Sequence, residues 1–337
     1  MNHSNEALDL FPPMEAVPPP FRLNGPVEQR EVLVDGRLEV WNGPCQDVVS
    51  PVRVSGPDGP AAVRLGSYPL QGADQALAAL DAARRAYDGG RGAWPTMPVE
   101  DRIRHVADFV EGMRSVRDEV IRLICWEIGK SAADAGKEFD RTVAYIRDTV
   151  EALKDLDRAA SRFVIDDGVF AQIRRAPLGV ALCMGPFNYP LNETLTTLIP
   201  ALCMGNVVVF KPPKLGVLLH GPLLGAYRDA FPPGVVNTVY GEGRDVVGPM
   251  MTSGHVDVLA FIGTSRVADV LRDQHPKPHR LRCVLGLEAK NAAIVLPDAD
   301  LDLAVRECAL GALSFNGQRC TALKILFVHE SIADAFL

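Results

Sequence analysis

The sequence predicts an α/β protein built on a parallel sheet, and two features of its second half support this prediction. From about residue 179 onward, short apolar runs alternate with helix-compatible stretches, and buried strands that alternate with helices form parallel sheets with right-handed crossovers. Several runs lead into glycine-bearing strand-to-helix turns, where α/β enzymes place their ligands. Strands are expected at 179–184, 206–210, 235–240, 257–262, 292–296 and 324–328.

The first half of the chain is predicted to be mainly helical, with two hairpins. Asp35-Gly36 in "REVLVDGRLEVW" is a strong hairpin turn, and Asp166-Asp167-Gly168 predicts a second hairpin within 163–180. Apolar residues at helical spacing predict helices over 73–88, 98–116 and about 116–155, with their apolar faces in the core. Residues 1–30, which contain "FPPMEAVPPPF", are expected to form a flexible proline-rich arm.

Composition limits the classes of function. With 337 residues, 47% hydrophobic and 23% charged, the chain has the make-up of a soluble globular protein with room for two domains. The net charge of −7 provides no general attraction to nucleic acid. There is no uninterrupted apolar stretch of the about 20 residues that a membrane helix needs, and the N-terminus lacks a secretory signal. We therefore expect a cytoplasmic protein without membrane or nucleic-acid partners.

The cysteines and histidines argue against disulfides and metals. The seven cysteines are scattered and include no Cys-x-x-Cys pair, which indicates reduced thiols. His275 and His279 are four residues apart, but the prolines between them exclude the helix that would aim both at one metal, so no metal is predicted. Cys320 lies between Arg319 and Thr321, and an adjacent guanidinium favours the nucleophilic thiolate. Taken alone, this pattern also fits an ordinary loop thiol.

Polar residues follow several of the predicted strands. Asn188 in "MGPFNYPLNETL" could donate to an oxyanion, or could satisfy its own loop backbone. Lys211 and Lys214 in "NVVVFKPPK" place two cations at a strand end, where they suit phosphate or ribose oxygens. The segments "YGEGRDVV" and "FIGTSRVADV" are strand-to-helix turns that present backbone N–H groups to a phosphate, or simply tight turns.

Together these segments resemble the aldehyde dehydrogenase superfamily over roughly residues 30–337. The matching pieces are, in order, "GPFNYP", "KPP", "GEG", "FIGTS", "AAIVLPDADLD" and "FNGQRCTA". The chain looks most like the non-phosphorylating, NADP-dependent glyceraldehyde-3-phosphate dehydrogenases, ending shortly after the nucleophile as if C-terminally truncated. The resemblance implies an aldehyde dehydrogenase fold with a Rossmann-like cofactor domain (31–157 and 178–286), a β-hairpin oligomerisation element (158–177) and the start of a catalytic domain (287–337). It also implies a homo-oligomer when full length.

The resemblance also implies the roles of individual residues. Cys320 falls on the nucleophile and Asn188 on the oxyanion-hole asparagine. The substrate phosphate is assigned to Arg141, Tyr189 and Arg319. NADP binding is assigned to Pro186, Phe187, Lys211, Lys214, Gly243, Gly263, Thr264 and Ser265. The implied reaction oxidises glyceraldehyde-3-phosphate to 3-phosphoglycerate with NADP, through a thiohemiacetal and a thioester on the cysteine. Alternatives are another semialdehyde or acylating dehydrogenase of the superfamily, or a non-catalytic dinucleotide-binding fragment.

The water-activating base is displaced from its expected position. In the superfamily a glutamate lies 34 residues before the cysteine, where this chain has Gly286, and Glu288 lies 32 residues before it. Two residues along an extended chain span about 6–7 Å and keep the same face, so Glu288 is predicted to reach the same pocket as the base. If it does not, the thioester would hydrolyse slowly or pass to another nucleophile, such as a thiol cofactor.

Overall fold

A computed structural model of the chain describes residues 11–337. The strands are β1 (Val27–Glu28), β2 (Glu31–Val34), β3 (Arg37–Val40), β4 (Cys45–Gly56), β5 (Gly59–Pro69), β6 (Val164–Asp166), β7 (Val169–Ala171), β8 (Val180–Met184), β9 (Val207–Lys211), β10 (Val236–Thr238), β11 (Val258–Ile262), β12 (Arg282–Gly286), β13 (Asn291–Val295) and β14 (Leu323–Val328). The helices are α1 (Ala73–Tyr87), α2 (Ala93–Thr96), α3 (Val99–Ser115), α4 (Arg117–Ile128), α5 (Ala132–Ala160), α6 (Asn192–Cys203), α7 (Leu224–Ala230), α8 (Gly243–Thr252), α9 (Ser265–Gln274), α10 (Leu301–Leu313) and α11 (Ala333–Phe336).

A five-stranded parallel sheet forms the centre of the molecule. Its order is β10-β9-β8-β11-β12, and every pairing in it is parallel. Helices α1 and α6 pack against its central strands, and every residue of β8 is buried. The predicted parallel sheet is therefore confirmed, and the carboxyl ends of its strands share one edge.

The strand pattern departs from the prediction in three places. The last two predicted strands, β13 and β14, form a separate two-stranded parallel sheet after β12. Strand β12 was not predicted, because "RCVLG" is short and lies at the edge of the sheet with mostly exposed residues. The sequence also misses the long antiparallel pair β4 and β5, whose prolines, glycines and register shifts interrupt a regular alternation.

Both predicted hairpins are present. Strands β2 and β3 turn at Asp35 and Gly36, whose φ angles of 52° and 74° are the left-handed values that a type I′ turn requires. Strands β6 and β7 turn in the same way at Asp167 and Gly168. The second hairpin stands away from the core, and Phe170 is 67% exposed.

The N-terminal segment differs from the flexible arm that the sequence predicts. Residues 1–10 of that predicted arm lie outside the described residues. Residues 11–30 pack on the body: Trp126 donates from Nε1 to the Phe21 carbonyl at 2.7 Å, and Val27 pairs with Gly66 of β5. Two short 3-10 turns, Met14–Ala16 and Pro19–Phe21, fold this segment locally, and its apolar side chains pack against the core.

Candidate active site

The loop that carries Cys320 connects α10 to β14 through a strained turn. Phe315, Asn316 and Gly317 all have left-handed φ angles, of 51°, 52° and 69°. For a bulky residue such as Phe315 this conformation is costly, and such strain persists only where surrounding contacts hold it. The turn delivers Cys320 to the surface, where its side chain is exposed.

Two asparagine side chains hold this loop in place. Asn188, in the loop between β8 and α6, donates from Nδ2 to the Gln318 carbonyl at 2.8 Å. Asn291, the first residue of β13, donates from Nδ2 to the Cys320 carbonyl at 2.5 Å and to the Ala322 carbonyl at 3.0 Å. The backbone N–H of Cys320 has no acceptor among residues 11–337. An amide side chain and an open N–H beside a thiol are the donors that an oxyanion requires.

The sequence assigned Asn188 to this place and missed Asn291. Asn291 stands in "KNAAIV" as a polar residue at the start of a predicted strand, which by itself reads as a strand boundary. Its role depends on the pairing of β13 with β14, which brings it opposite Leu323. The pairing therefore places Asn291 against the Cys320 loop across 29 residues of sequence.

The three residues expected to bind the substrate anion line one cavity of about 210 Å³. Arg141 comes from α5, Tyr189 from the loop before α6, and Arg319 from the loop of Cys320. The remaining lining residues are Lys130, Asp134, Lys137, Glu138, Asn192, Ser314 and Phe315. The structure thus brings together three residues that lie up to 178 positions apart in the sequence (319 minus 141).

The cavity has unpaired positive charge. Of its two acids, Glu138 pairs with Lys130, and Asp134 accepts a hydrogen bond from Ser131. Within the described part of the chain, Lys137, Arg141 and Arg319 form no ion pair. Lys137 and Arg141 are four residues apart and so share one face of α5. Three cations without a carboxylate partner favour an anionic ligand.

A buried ion pair forms the back wall of this cavity. Lys130 Nζ lies 2.5 Å from Glu138 Oε2, and the two side chains are only 2% and 0% exposed. Glu138 Oε1 also accepts the N–H groups of Leu191 and Asn192, at 3.1 and 3.2 Å. Burial raises the pKa of Glu138, but these three donors surround the carboxylate and stabilise its charged form. The pair therefore ties α5 to the start of α6.

Lys130 also contacts the aromatic residues of the cavity. Its ammonium lies 3.5 Å from the centre of the Tyr189 ring and 5.1 Å from that of Phe315, within cation–π range. Neither Lys130 nor Glu138 was expected from the sequence. They are eight residues apart, on either side of the start of a helix, so helical spacing did not indicate a pair.

Two lysines lie at the carboxyl end of β9. Lys211 is half-buried, and burial lowers the pKa of its ammonium to about 8. Within the described residues its Nζ donates to the Pro212 carbonyl alone, at 3.2 Å. Lys214 pairs with Glu242 at 2.9 Å, and this acid precedes α8. Both lysines stand at the edge predicted for the cofactor, with one of them already partnered.

The glycines assigned to the cofactor have different surroundings. A Cβ atom on Gly263 would lie 2.3 Å from the ring of Phe261, so packing within this chain already requires the glycine. A Cβ on Gly243, the first residue of α8, would meet nothing within 4 Å. Thr264 caps α9 by accepting the N–H of Val267. Pro186 and Phe187 directly follow β8, and Phe187 is 42% exposed.

Glu288 contacts the beginning of α9. Its Oε2 accepts the Ser265 N–H at 2.8 Å, and its Oε1 accepts the Ser265 hydroxyl at 2.7 Å. The hydrogen bond from the Ser265 hydroxyl is the main cause that lowers the pKa of this carboxyl below its usual range. Among the described residues, no hydrogen bond joins Glu288 to the Cys320 loop. A Cβ on Gly286, the residue at the family's base position, would lie 3.1 Å from the Ile262 side chain. The role of Glu288 as a base stays a prediction.

The model of the aldehyde dehydrogenase family matches residues 54–337 of this chain. The chain belongs to the aldehyde dehydrogenase family. Members of this family are NAD(P)-dependent oxidoreductases. The predicted superfamily is thereby confirmed.

Among curated relatives, the malonate-semialdehyde dehydrogenase of Bacillus cereus (strain B4264) is 30% identical over 280 residues. That match covers 82% of this chain and 56% of the relative. A malonate-semialdehyde dehydrogenase 1 of Bacillus licheniformis is 31% identical over 261 residues, covering 77% of this chain and 52% of the relative. The chain therefore spans about half the length of the curated relatives it matches.

Solved structures show the same fold. The NADP-dependent glyceraldehyde-3-phosphate dehydrogenase from Bacillus halodurans C-125, complexed with NADP, superposes with a TM-score of 0.81 at 29% identity, covering 92% of this chain and 63% of that chain. Lactaldehyde dehydrogenase from Escherichia coli superposes with a TM-score of 0.80 at 26% identity, covering 93% and 63%. The expected aldehyde dehydrogenase fold is confirmed.

Within residues 11–337, no helix is both long and apolar enough to cross a bilayer.

The residues of this chain fit the dinucleotide that the family uses. The start of α9 already holds a carboxylate, which shows that the N–H and hydroxyl of Ser265 can accommodate an anion. Lys211 supplies a half-buried cation at the same edge of the sheet. Ser265 thus has the chemistry to hold an anionic portion of a nicotinamide dinucleotide, and Lys211 has the chemistry to hold a polar portion.

Proposed function

We propose that this aldehyde dehydrogenase oxidises glyceraldehyde-3-phosphate to 3-phosphoglycerate with NADP. The observation that carries the proposal is the cavity on which Arg141, Tyr189 and Arg319 converge, together with Lys137, beside the loop of Cys320. A planar guanidinium group can donate two parallel hydrogen bonds to two oxygens of one phosphate. Such contacts give a small phosphorylated aldehyde both affinity and orientation. The similarity to a glyceraldehyde-3-phosphate dehydrogenase structure supports the same substrate.

In the proposed mechanism, Arg141 and Arg319 hold the phosphate while Tyr189 packs beside the carbon chain. The Cys320 thiolate attacks the aldehyde carbon, and the resulting oxyanion receives hydrogen bonds from the Asn188 amide and the Cys320 N–H. The amide must first turn from the Gln318 carbonyl that it now contacts. NADP, held at the carboxyl edge of the sheet, would supply the hydride acceptor, and loss of hydride from the thiohemiacetal carbon would leave a thioester on Cys320.

We assign the dinucleotide to the carboxyl edge of the sheet. Lys211 is placed against ribose oxygens, and Lys214 against a 2′-phosphate. Gly243, Gly263, Thr264 and Ser265 are placed along the adenosine and pyrophosphate, with Pro186 and Phe187 nearer the nicotinamide. The pairing of Lys214 with Glu242 supports NADP only in part, because the 2′-phosphate has to compete with that carboxylate.

Hydrolysis of the thioester is assigned to a water activated by Glu288. A Glu288→Gln substitution should then leave the first-turnover burst of NADPH intact and abolish most of the steady-state turnover. Unchanged steady-state turnover would instead assign Glu288 a structural role. Pre-steady-state absorbance at the NADPH band distinguishes the two results.

A second candidate is an acylating dehydrogenase, in which the thioester passes to a thiol. It is favoured by Gly286 at the base position and by the hydrogen bonds that commit Glu288 to Ser265. Addition of a thiol cofactor should then accelerate steady-state NADPH formation and yield a new thioester. An unchanged rate with free acid as the product excludes this candidate.

The substrate is tested with three aldehydes and one pair of variants. The kcat/KM for glyceraldehyde-3-phosphate should exceed those for malonate semialdehyde and unphosphorylated glyceraldehyde. Arg141→Met should raise KM for the phosphorylated aldehyde by about tenfold or more, since it removes a charge-assisted contact, and should leave glyceraldehyde unaffected. Arg147→Met, on the same helix but outside the cavity, is the control. Preference for malonate semialdehyde would indicate a carboxylate-bearing substrate, and equal efficiency would refute the anion site.

Two further properties are proposed. The exposed apolar hairpin of β6 and β7, with Ile165 66% and Phe170 67% exposed, supports a homo-oligomer through this element. Light scattering of wild-type and Phe170→Asp protein tests this, because the substitution should reduce the oligomer to monomer.

A cytoplasmic location is proposed from the sequence and is tested by fractionation. A chain that binds NADP but forms no NADPH with any aldehyde would match the non-catalytic alternative.

A further inference from the structure

We propose that Glu288 occupies, in the unliganded protein, the place at the start of α9 where the dinucleotide pyrophosphate binds, and that it must leave before the dinucleotide can enter. The inference rests on the proposed function, because it assumes that this aldehyde dehydrogenase uses Ser265 to hold the cofactor. It assigns Glu288 a role in cofactor affinity that is separate from its predicted role as a base.

Glu288 takes both polar groups that Ser265 offers to an anion. Each carboxylate oxygen accepts one hydrogen bond, at 2.8 Å from the N–H and 2.7 Å from the hydroxyl. The first N–H groups of a helix have no partner within the helix, and Thr264 already caps the N–H of Val267. The carboxylate therefore fills the position that the beginning of α9 presents to a ligand.

The pairing of β11 with β12 creates this contact. Ile262 lies opposite Gly286, and the Gly263 N–H donates to the Gly286 carbonyl at 3.0 Å. The two chains therefore leave the sheet side by side, and the second residue beyond β12 lies next to the first residue of α9. Backbone register places Glu288 against Ser265, at the same edge of the sheet as Lys211.

A pyrophosphate and this carboxylate exclude one another. They would use the same two donors, and a second anion within hydrogen-bond distance of the first is repelled. Dinucleotide binding thus requires Glu288 to turn away from Ser265. If the carboxylate holds Ser265 for nine-tenths of the time, the apparent Kd of the dinucleotide is raised about tenfold, because only the open fraction can bind.

This arrangement also links the two possible uses of Glu288. While the carboxylate caps α9, it is held away from any reaction on Cys320. Binding of the dinucleotide would release it at the stage when a thioester is about to form. An acid two positions beyond the expected base would then serve first as an occupant of the cofactor site and only afterwards as a free carboxylate.

The test is a fluorescence titration of NADPH into the 337-residue chain and its Glu288→Gln and Glu288→Ala variants. Both variants should bind NADPH about tenfold more tightly than wild type. Asp300→Asn is the matched control, because Asp300 caps α10 by accepting the Leu303 N–H at 3.0 Å. It makes the same chemical change at another helix start and should leave the Kd unchanged. Circular dichroism confirms that each variant is folded.

The possible results separate this inference from the proposed function. If the Glu288 variants bind NADPH no more tightly than wild type, or bind none, the inference is overturned. Unchanged affinity of the variants, together with aldehyde oxidation by the wild-type chain, would overturn the inference alone. Tighter binding by the variants, with no aldehyde oxidised by the wild-type chain, would support the inference and overturn the proposed function.

Discussion

The strands of the five-stranded sheet and the two strands that follow it differ in how much of each is covered. All five residues of β8 and four of the five in β9 are buried, whereas none of the six residues of β14 is buried. Ile294 of β13 is 73% exposed and Phe327 of β14 is 54% exposed, although both strands are mostly apolar. Pairing satisfies the backbone in both regions, but only packing helices bury the side chains.

The candidate active site joins these two regions. Arg141 and Tyr189 come from the covered region, which ends near β11, and Arg319 and Cys320 come from the exposed one. The hydrogen bond from Asn188 to the Gln318 carbonyl spans the boundary. The wall of the cavity therefore stands on a packed core, while Cys320 depends on a strained loop with little cover. Four experiments would break or sharpen this contrast.

The largest effect is expected from the buried ion pair. Lys130→Met leaves Glu138 buried without its partner, so the free energy of unfolding should fall by about 4 kcal/mol. The matched variant Lys214→Met breaks an exposed pair and should cost about 1 kcal/mol or less. Urea denaturation measures both, and similar losses would mean that burial does not separate the two pairs.

Leucine truncation compares the two regions directly. Leu198 is fully buried in α6, and Leu198→Ala should lower the free energy of unfolding by about 3 kcal/mol through lost burial and a cavity. Leu313 is 72% exposed at the end of α10, and Leu313→Ala should cost about 0.5 kcal/mol or less. If Leu313→Ala proves equally damaging in urea denaturation, α10 is covered in solution.

Burial in the covered region should also produce opposing pH dependences. Burial raises the pKa of Glu127 from 4.5 to about 7, so its contribution to stability is present at low pH and is lost as pH rises through 7. Burial lowers the pKa of His220 from 6.5 to about 4, so its contribution is present above 6.5 and is lost as pH falls through 4. The two trends cancel in the wild type.

Removing the Glu127 carboxyl should reveal the pH dependence that His220 contributes. Glu127→Gln should lose about 2–3 kcal/mol of unfolding free energy between pH 7 and pH 4.5, because of these two groups only the histidine then titrates. Wild type should change by about 1 kcal/mol or less over the same interval. Urea denaturation at both pH values measures the difference. If the unfolding free energy of Glu127→Gln depends on pH as little as that of the wild type, protonation of Glu127 and His220 is not coupled to folding.

The smallest effect is expected at the exposed edge of the covered region. Lys214→Ala should shift the ratio of Kd values for NADP and NAD by about tenfold toward NAD, as an exposed charge pair contributes on the order of 1 kcal/mol. Glu242→Gln should shift the ratio the other way, because it releases Lys214 from its present partner. Calorimetric titration with both dinucleotides tests this, and equal ratios would remove Lys214 from the 2′-phosphate site.

Local signals in the sequence were sufficient for much of the fold. Asp35-Gly36 and Asp167-Gly168 predict hairpins because few other residues tolerate their left-handed φ angles. The apolar runs of β8, β9 and β11 indicate buried parallel strands because both of their faces are covered. Strand β12 and the docking of residues 11–30 escaped prediction, because their order depends on partners far away in the sequence.

The candidate site also combines features that the sequence predicts with features that depend on distant packing partners. The resemblance to the aldehyde dehydrogenase superfamily implied roles for Cys320, Asn188 and the three residues that line the cavity. The exposed strands β13 and β14 were predicted as readily as the buried ones, since backbone pairing follows local composition. Which of them is buried depends on the packing of other elements, and local sequence does not encode that packing.

The sequence by itself determined the family, the parallel sheet and the residue types that meet at its edge, since these follow from periodicity, turn chemistry and ordered motifs. Only the tertiary structure decided that Lys130 and Glu138 form the wall of the cavity, that Asn291 holds the loop of Cys320, and that Glu288 accepts hydrogen bonds from Ser265. Each of these contacts joins residues 8 to 29 positions apart across different elements. Strand register and helix packing bring such residues together, and neither can be read from local sequence.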